Sequence, residues 1–202
     1  MSCNKLARTL IVLVVGIVLC FGPIASAQTN TSRTGFMEII GVPDDVVAGR
    51  GDTKAGWFKA DVSQIADAYI RIIYDDFVVT GNVVEWYRND NYIIVLDNVR
   101  LEQNDLVLTT DKIEFYTEKE IMVAIGNIVV TTKDAVVYAE HMTYDRNLNK
   151  VEFTVNVKVE VTDAKLFGER LIMYRDTEQM EFVGPFKAEF QRGESAADST
   201  LD

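Results

Sequence analysis

Of the 202 residues, 31 are acidic and 20 basic, with one histidine and two cysteines, and the net charge is −11 at pH 7. That excess of negative charge repels nucleic acid and anionic bilayers, so neither is expected as a partner. Both cysteines, Cys3 and Cys20, precede the body of the chain, which leaves the body without disulfide or thiolate chemistry.

The chain opens with Lys5 and Arg8 and no acid before Leu10, followed by twelve apolar or small residues from Leu10 to Phe21. Gly22-Pro23 breaks that run, and Ala25-Ser26-Ala27 has the small-x-small form of a signal-peptidase site. Residues 1–27 therefore read as a signal peptide with a helical apolar run, cleaved after Ala27, and the product is exported. Twelve residues are short for a membrane span, which takes about 20. An uncleaved membrane anchor is the alternative. Cleavage leaves 18 basic residues against 31 acidic ones, a net charge of −13, and a length sufficient for one domain with its own core.

Residues 28–55 read as an irregular N-terminal segment. Gln28 to Thr34 is polar, and Met37 to Thr53 is broken by Pro43-Asp44-Asp45 and Gly49-Arg50-Gly51. From residue 56 to 190 the chain repeats itself. Asp76, Asp105, Asp134 and Asp163 stand 29 residues apart, and reading forward from each gives DFVVTGNVVEW, DLVLTTDKIEF, DAVVYAEHMTY and DAKLFGERLIM. Apolar columns follow: Val79, Leu108, Val137, Leu166, then Val84, Ile113, Met142, Leu171, then Trp86, Phe115, Tyr144, Met173. Between them lies a small-polar pair, Gly81-Asn82, Thr110-Asp111, Ala139-Glu140 and Gly168-Glu169. Asn98, Asn127 and Asn156 keep the same period, each followed by Val99, Ile128 or Val157.

Alternation of period two within each unit marks strands with one buried face. The alternation slips by one residue at the small-polar pair, where a bend or bulge is expected. The short polar links Arg88-Asn89-Asp90-Asn91, Thr117-Glu118-Lys119 and Arg146-Asn147-Leu148-Asn149 leave no room for crossover helices, so the ladder is antiparallel or solenoidal. Its inward face is read as Ile94, Leu96, Val99, Leu101, Leu108, Ile113, Phe115, Val123, Ile125, Ile128, Val130, Met142, Tyr144, Val157, Val159, Leu171 and Met173. The last, half-length unit contains Met180, Phe182, Phe186 and Phe190, and Pro185 marks it as an edge available for strand pairing. Residues 191–202 read as a disordered tail.

The quoted units resemble the OstA-like domain of the organic-solvent-tolerance family shared by periplasmic lipopolysaccharide-transport proteins. The likeness is carried by Gly126-Asn127-Ile128-Val129-Val130, Ala139-Glu140-His141-Met142-Thr143-Tyr144-Asp145, Asn156-Val157-Lys158-Val159 and Gly168-Glu169-Arg170-Leu171. Glu152 departs from the pattern, standing where Ile94 and Val123 are apolar. The resemblance implies a twisted, open, all-β jellyroll of about four 29-residue repeats. It implies lipopolysaccharide or a related lipid in a groove lined by the inward residues, and a periplasmic location. It also implies OstA-fold partners at the inner and outer membranes, bridged through a head-to-tail homo-oligomer. Lipid phosphates would then lie near Arg100, Lys112, Lys158, Lys165 and Arg170.

No enzyme is expected. His141 sits beside Met142 and should face outward, no cofactor motif occurs, and one histidine without cysteine makes a poor zinc site. The aspartate column Asp76, Asp105, Asp134, Asp163 could in principle bind cations but sits where turn residues are needed. Two rival readings are an exported structural or adhesive β-solenoid with a solid core, and a membrane-anchored relative of the same fold.

Overall fold

The computed structural model describes residues 37–43, 49–74, 77–177 and 179–191. Residues 1–27, read above as a signal peptide with a helical apolar run and a cleavage site, lie outside the described residues, as do 192–202 of the expected tail and Asp76. Among the described residues, fourteen strands form one antiparallel sheet: β1 (Met37–Val42), β2 (Gly49–Asp52), β3 (Trp57–Asp61), β4 (Tyr69–Tyr74), β5 (Phe77–Gly81), β6 (Val83–Tyr87), β7 (Tyr92–Gln103), β8 (Leu106–Tyr116), β9 (Ile121–Thr131), β10 (Ala135–Asp145), β11 (Lys150–Val161), β12 (Ala164–Tyr174), β13 (Gln179–Phe182) and β14 (Phe186–Phe190). Among the described residues, no helix is long and apolar enough to cross a membrane.

Strands β7 to β12 pair in simple succession. Each is irregular at its middle, and this folds the sheet into two layers. At the N-terminal end the first half of β7 pairs with β6, which leads to β3 and β2, while its second half pairs with β5, which leads to β4 and β1. At the C-terminal end β13 pairs with residues 171–174 of β12 and β14 with residues 164–168. One layer therefore runs from β2 to β13 and the other from β1 to β14. The fold line between them is the row of irregularities, and the far edges, lined by hairpin turns, form the mouth of a V.

The residues at the fold line explain the periodic columns. In β8 the register shifts between Thr109 and Lys112, so Thr110 and Ile113 both face inward across the bulged Asp111. Thr110 satisfies its buried hydroxyl on the Ile125 and Gly126 carbonyls, at 3.0 and 2.8 Å. A Cβ on Gly81, the corresponding residue of the first unit, would lie 2.5 Å from Val95 Cγ1, hence the demand for a small residue. The alternate strands use another device. Asp97-Asn98, Gly126-Asn127 and Val155-Asn156 are consecutive pairs with positive φ. Asparagine tolerates the left-handed region, and its side chain ties neighbouring strands: Asn98 Nδ2 donates to Asn82 Oδ1 at 2.7 Å, and Asn127 Nδ2 to Asp111 Oδ2 at 2.8 Å.

Because two left-handed residues in succession preserve the two-residue period, Ile93, Val95, Val99 and Leu101 all point inward and are buried. Reading Ile94 and Leu96 inward together with Val99 and Leu101 would need a change of parity at the asparagine that these strands do not make, which corrects four inward assignments: Ile94, Leu96, Val123 and Ile125 are half-buried on the outer face. Ile93, Val95, Met122 and Ala124 take their places, and Val151 and Phe153 complete the set. The chain between 37 and 52, read as irregular, contains β1 and β2. Their short apolar and glycine-rich runs pair with β4 and β3, which supply the backbone partners that neither segment has alone.

Candidate functional site

Packing the two layers face to face buries a continuous apolar interior from Ala60 and Ile70 at one end to Leu166 and Met173 at the other. Each fully buried Val, Leu or Ile in it contributes roughly 1.5–3 kcal/mol. Of the residues expected inward, Val99, Leu101, Leu108, Ile113, Ile128, Val130, Met142, Tyr144, Val157, Val159, Leu171 and Met173 are buried in it, and Phe115 packs against it half-buried. Two buried polar side chains that sequence patterning does not disclose, Gln103 and Thr132, face it near the turns of the second layer. Thr132 Oγ1 donates to the Ala135 carbonyl at 3.2 Å and accepts from the Ala135 N–H.

The interior is tightly filled. A cavity of about 30 Å³ lies between the layers, bounded by Leu101, Leu108, Val130 and Val137 on one side and Met122, Met142, Phe153 and Met173 on the other. That holds a water or two, whereas pockets for small organic ligands run to about 300–1,000 Å³. Toward the mouth, Tyr74 and Phe77 of one layer approach Phe115, Met122, Tyr144 and Arg146 of the other around a cleft of about 40 Å³.

The ends are open. At the N-terminal end a cleft of about 530 Å³ lies among Ile39, Trp57, Phe58, Trp86 and Arg88. Gly49 and Gly51 occupy the β2 positions opposite Ala60 and Phe58, so the first strand contributes no side chains there. At the C-terminal end Met180 and Phe182 of β13 pack half-buried against the core, whereas Phe186 and Phe190 of β14 are 63% and 52% exposed. Phe182 and Phe186 stack with ring centroids 5.8 Å apart. Phe186, Ala188 and Phe190 stand opposite Gly168, Leu166 and Ala164, so the apolar lining runs on to the edge of the sheet. Pro185 lies between β13 and β14 and interrupts neither.

The outer faces neutralise themselves. The cations expected near lipid phosphates are paired there: Arg100 with Glu102, Lys112 with Glu114, Lys158 and Lys165 with Glu160, and Arg170 with Glu152. Glu85 is held below the usual carboxylate range by hydrogen bonds from Lys59 and Tyr87. Burial pushes the Glu114 carboxyl up, but hydrogen bonds from Lys112, Tyr116 and Tyr92 outweigh it and the net shift is downward. Glu152 owes its lowered pKa first to Lys150, burial opposing, with Arg170 adding to it. His141 is half-buried on the outer face opposite Ile125 and Thr154. Asp105, Asp134 and Asp163 are exposed in the turns or bends before β8, β10 and β12. Among the described residues, no group of three or more His, Cys, Asp or Glu side chains could hold a metal ion.

A bent, hairpin-linked antiparallel sheet folded on an apolar interior is an open β-jellyroll. The model of the OstA-like protein family matches residues 75–187, more than half of the chain, and the chain belongs to that family. Among solved structures it is similar to LptH, the LptA-homologous periplasmic component of the conserved lipopolysaccharide transport device from Pseudomonas aeruginosa. The TM-score is 0.52 at 15% identity over 57% of this chain and 95% of that one, a likeness of fold. No curated protein matches.

Proposed function

We propose that this protein is a non-enzymatic periplasmic carrier that holds the acyl chains of lipopolysaccharide or a related lipid between its two layers. In this reading it passes the lipid from inner to outer membrane through a head-to-tail bridge of copies and partners of the same fold. The observation that carries the reading is the continuous apolar interior, which runs to an aromatic-lined cleft at one end and to the exposed rings of Phe186 and Phe190 at the other. A chain of a dozen methylenes is stabilised by about 10 kcal/mol on leaving water, a gain that works against the cohesion of layers that meet with little free volume. Export by a cleaved signal peptide fits the same role.

Photo-crosslinking tests it. A benzophenone side chain at Leu108 or Phe115 is expected to label lipopolysaccharide in cells, and one at Val107, outward on β8, is not. No label from either inward position overturns the reading. The small cavity favours one rival, an exported structural module whose core is permanently solid. That module would show no lipid label and no lipid on purification. Mass measurement of the exported protein distinguishes a product starting at Gln28 from an anchored one.

A further inference from the structure

The outer face of the first layer carries an aromatic row. Phe58, Trp86, Ile93 and Phe115 pack inward, so their neighbours Trp57, Tyr87, Tyr92 and Tyr116 point outward, each opposite the next in the strand register. Ring centroids lie 6.1 Å apart between Tyr87 and Tyr92 and 4.9 Å apart between Tyr92 and Tyr116. The repeat does not demand these rings. At the 29-residue period Tyr116 gives way to Asp145, and Tyr92 to Ile121 and Lys150, yet the strands there pair in the same register. The turns that follow β6 and β8 convert this end of the row into a cleft of about 440 Å³, bounded by Tyr92 and Tyr116 and by Asp90, Asn91, Glu118 and Lys119. The two turns are tied to each other: Asn91 Nδ2 donates to Glu118 Oε2 at 3.3 Å, and the N–H and Oγ1 of Thr117 donate to the Asn91 carbonyl at 2.9 and 3.1 Å. The Tyr116 hydroxyl donates to Glu114 Oε2 at 2.9 Å, which fixes its ring, and Lys119 Nζ stands 5.7 Å over that ring.

We propose that this cleft is a saccharide-binding site on the outside of the jellyroll, separate from the apolar interior. Aromatic faces carry partial negative charge and attract the C–H face of a pyranose. Every sugar hydroxyl both donates and accepts, and the rim offers both: the carboxylates of Asp90 and Glu118 and the Asn91 amide oxygen accept, while Lys119 and the Asn91 amide donate. Two carboxylates against one ammonium repel a phosphate, and an acyl chain laid in the cleft would desolvate these charges without replacing their hydrogen bonds. The volume falls within the range of about 300–1,000 Å³ for small organic ligands. Turns already bonded to each other keep the ordering cost of binding low. The saccharide has two possible sources, the sugars of a lipid headgroup and a free glycan.

The test titrates the full exported protein calorimetrically with three probes: core oligosaccharide released from lipopolysaccharide by mild acid, a chitin trisaccharide, and lipid A without core sugars. Wild type is expected to bind at least one of the two saccharides saturably, and which one it prefers identifies the source. Tyr92→Ile, which installs the residue type of position 121, and Asp90→Ala/Glu118→Ala, confined to exposed turns, are each expected to lose about tenfold or more in affinity for that saccharide. Tyr174→Ile, at the same periodic position as Tyr116 but outside the cleft, is expected to match wild type. Lipid A is expected to behave alike with every variant. If wild type binds neither saccharide, or if the cleft variants bind as wild type does, the site is overturned and the carrier reading stands. Losses that are equal for the saccharide and lipid A also overturn it, in favour of a purely structural role for the row. Failure of wild type to bind lipid A, with saccharide binding intact, counts against the carrier reading alone.

Discussion

Val155 has φ of 66° and is 47% exposed. It stands 29 residues after Gly126 and 58 after Asp97, the other two residues that open the left-handed pairs. A β-branched residue in that region carries a penalty of about 1–2 kcal/mol, and its exposure means that replacement forfeits little burial. Val155→Asn is therefore expected to stabilise the protein by about 1 kcal/mol, read as a higher urea midpoint at unchanged m. The reverse change is expected to harm. A Cβ at Gly126 would lie 2.4 Å from Asp111 Oδ2, the acceptor of the Asn127 bond. Gly126→Val should lower stability by about 2 kcal/mol or more through backbone strain and the lost bond together. Thr110 makes the same point with a hydroxyl: Thr110→Val keeps the shape but leaves the Ile125 and Gly126 carbonyls one donor short, at an expected cost of about 1–3 kcal/mol by the same measurement.

At the scale of strands, the two irregularities were unequally legible. The bulge in β8 and its repeats could be read because apolar parity changes across Thr110-Asp111. Parity across the asparagine column could not be read in Ile93-Ile94-Val95-Leu96 or Met122-Val123-Ala124-Ile125, where every residue is apolar and either face could be the buried one. The third repeat did hold the answer. In Val151-Glu152-Phe153-Thr154 the acid marks the outer face, and what looks like a departure at Glu152 is the one informative residue of its column. Outer-face pairing also sets a pH dependence. Glu85 and Glu152 have lowered folded-state pKa values, so in acid the unfolded chain takes up protons more readily than the folded one. Their contribution is complete above the ordinary value of 4.5 and lost as pH falls through the lowered values. Tyr92 has the opposite sign. Burial, aided by Glu114, raises its pKa, so its contribution is complete below 10.0 and lost as pH rises beyond that. Thermal melting should hold a plateau between these limits. Glu85→Gln is expected to flatten the acid limb and Tyr92→Phe the alkaline one.

At the scale of the whole molecule, the repeat in the sequence disclosed a ladder but not its closure, because whether facing columns enclose a void depends on how the two layers meet. They meet closely, and a cleft of about 530 Å³ lies instead at the N-terminal end, where the repeat is incomplete. The ends are also where pairing partners run out: among the described residues, β13 and β14 each pair only with β12, and β1 only with β4. One end thus presents two short strands, of which β14 bears the exposed rings of Phe186 and Phe190, and the other an aromatic cleft beside β2, the strand with Gly49 and Gly51. In the head-to-tail bridge proposed above, joining them would add β14 to the layer of a neighbour's β1 and β13 to that of its β2. Such a junction is heterologous and repeats without closing. Phe186→Glu/Phe190→Glu places charges on the joining face at positions that are mostly solvent-exposed in the single chain. Its stability is expected to stay within about 0.5 kcal/mol of wild type. Sedimentation velocity should show wild type growing in size with concentration and the double variant remaining monomeric. Growth that persists in the variant would move the junction away from β14.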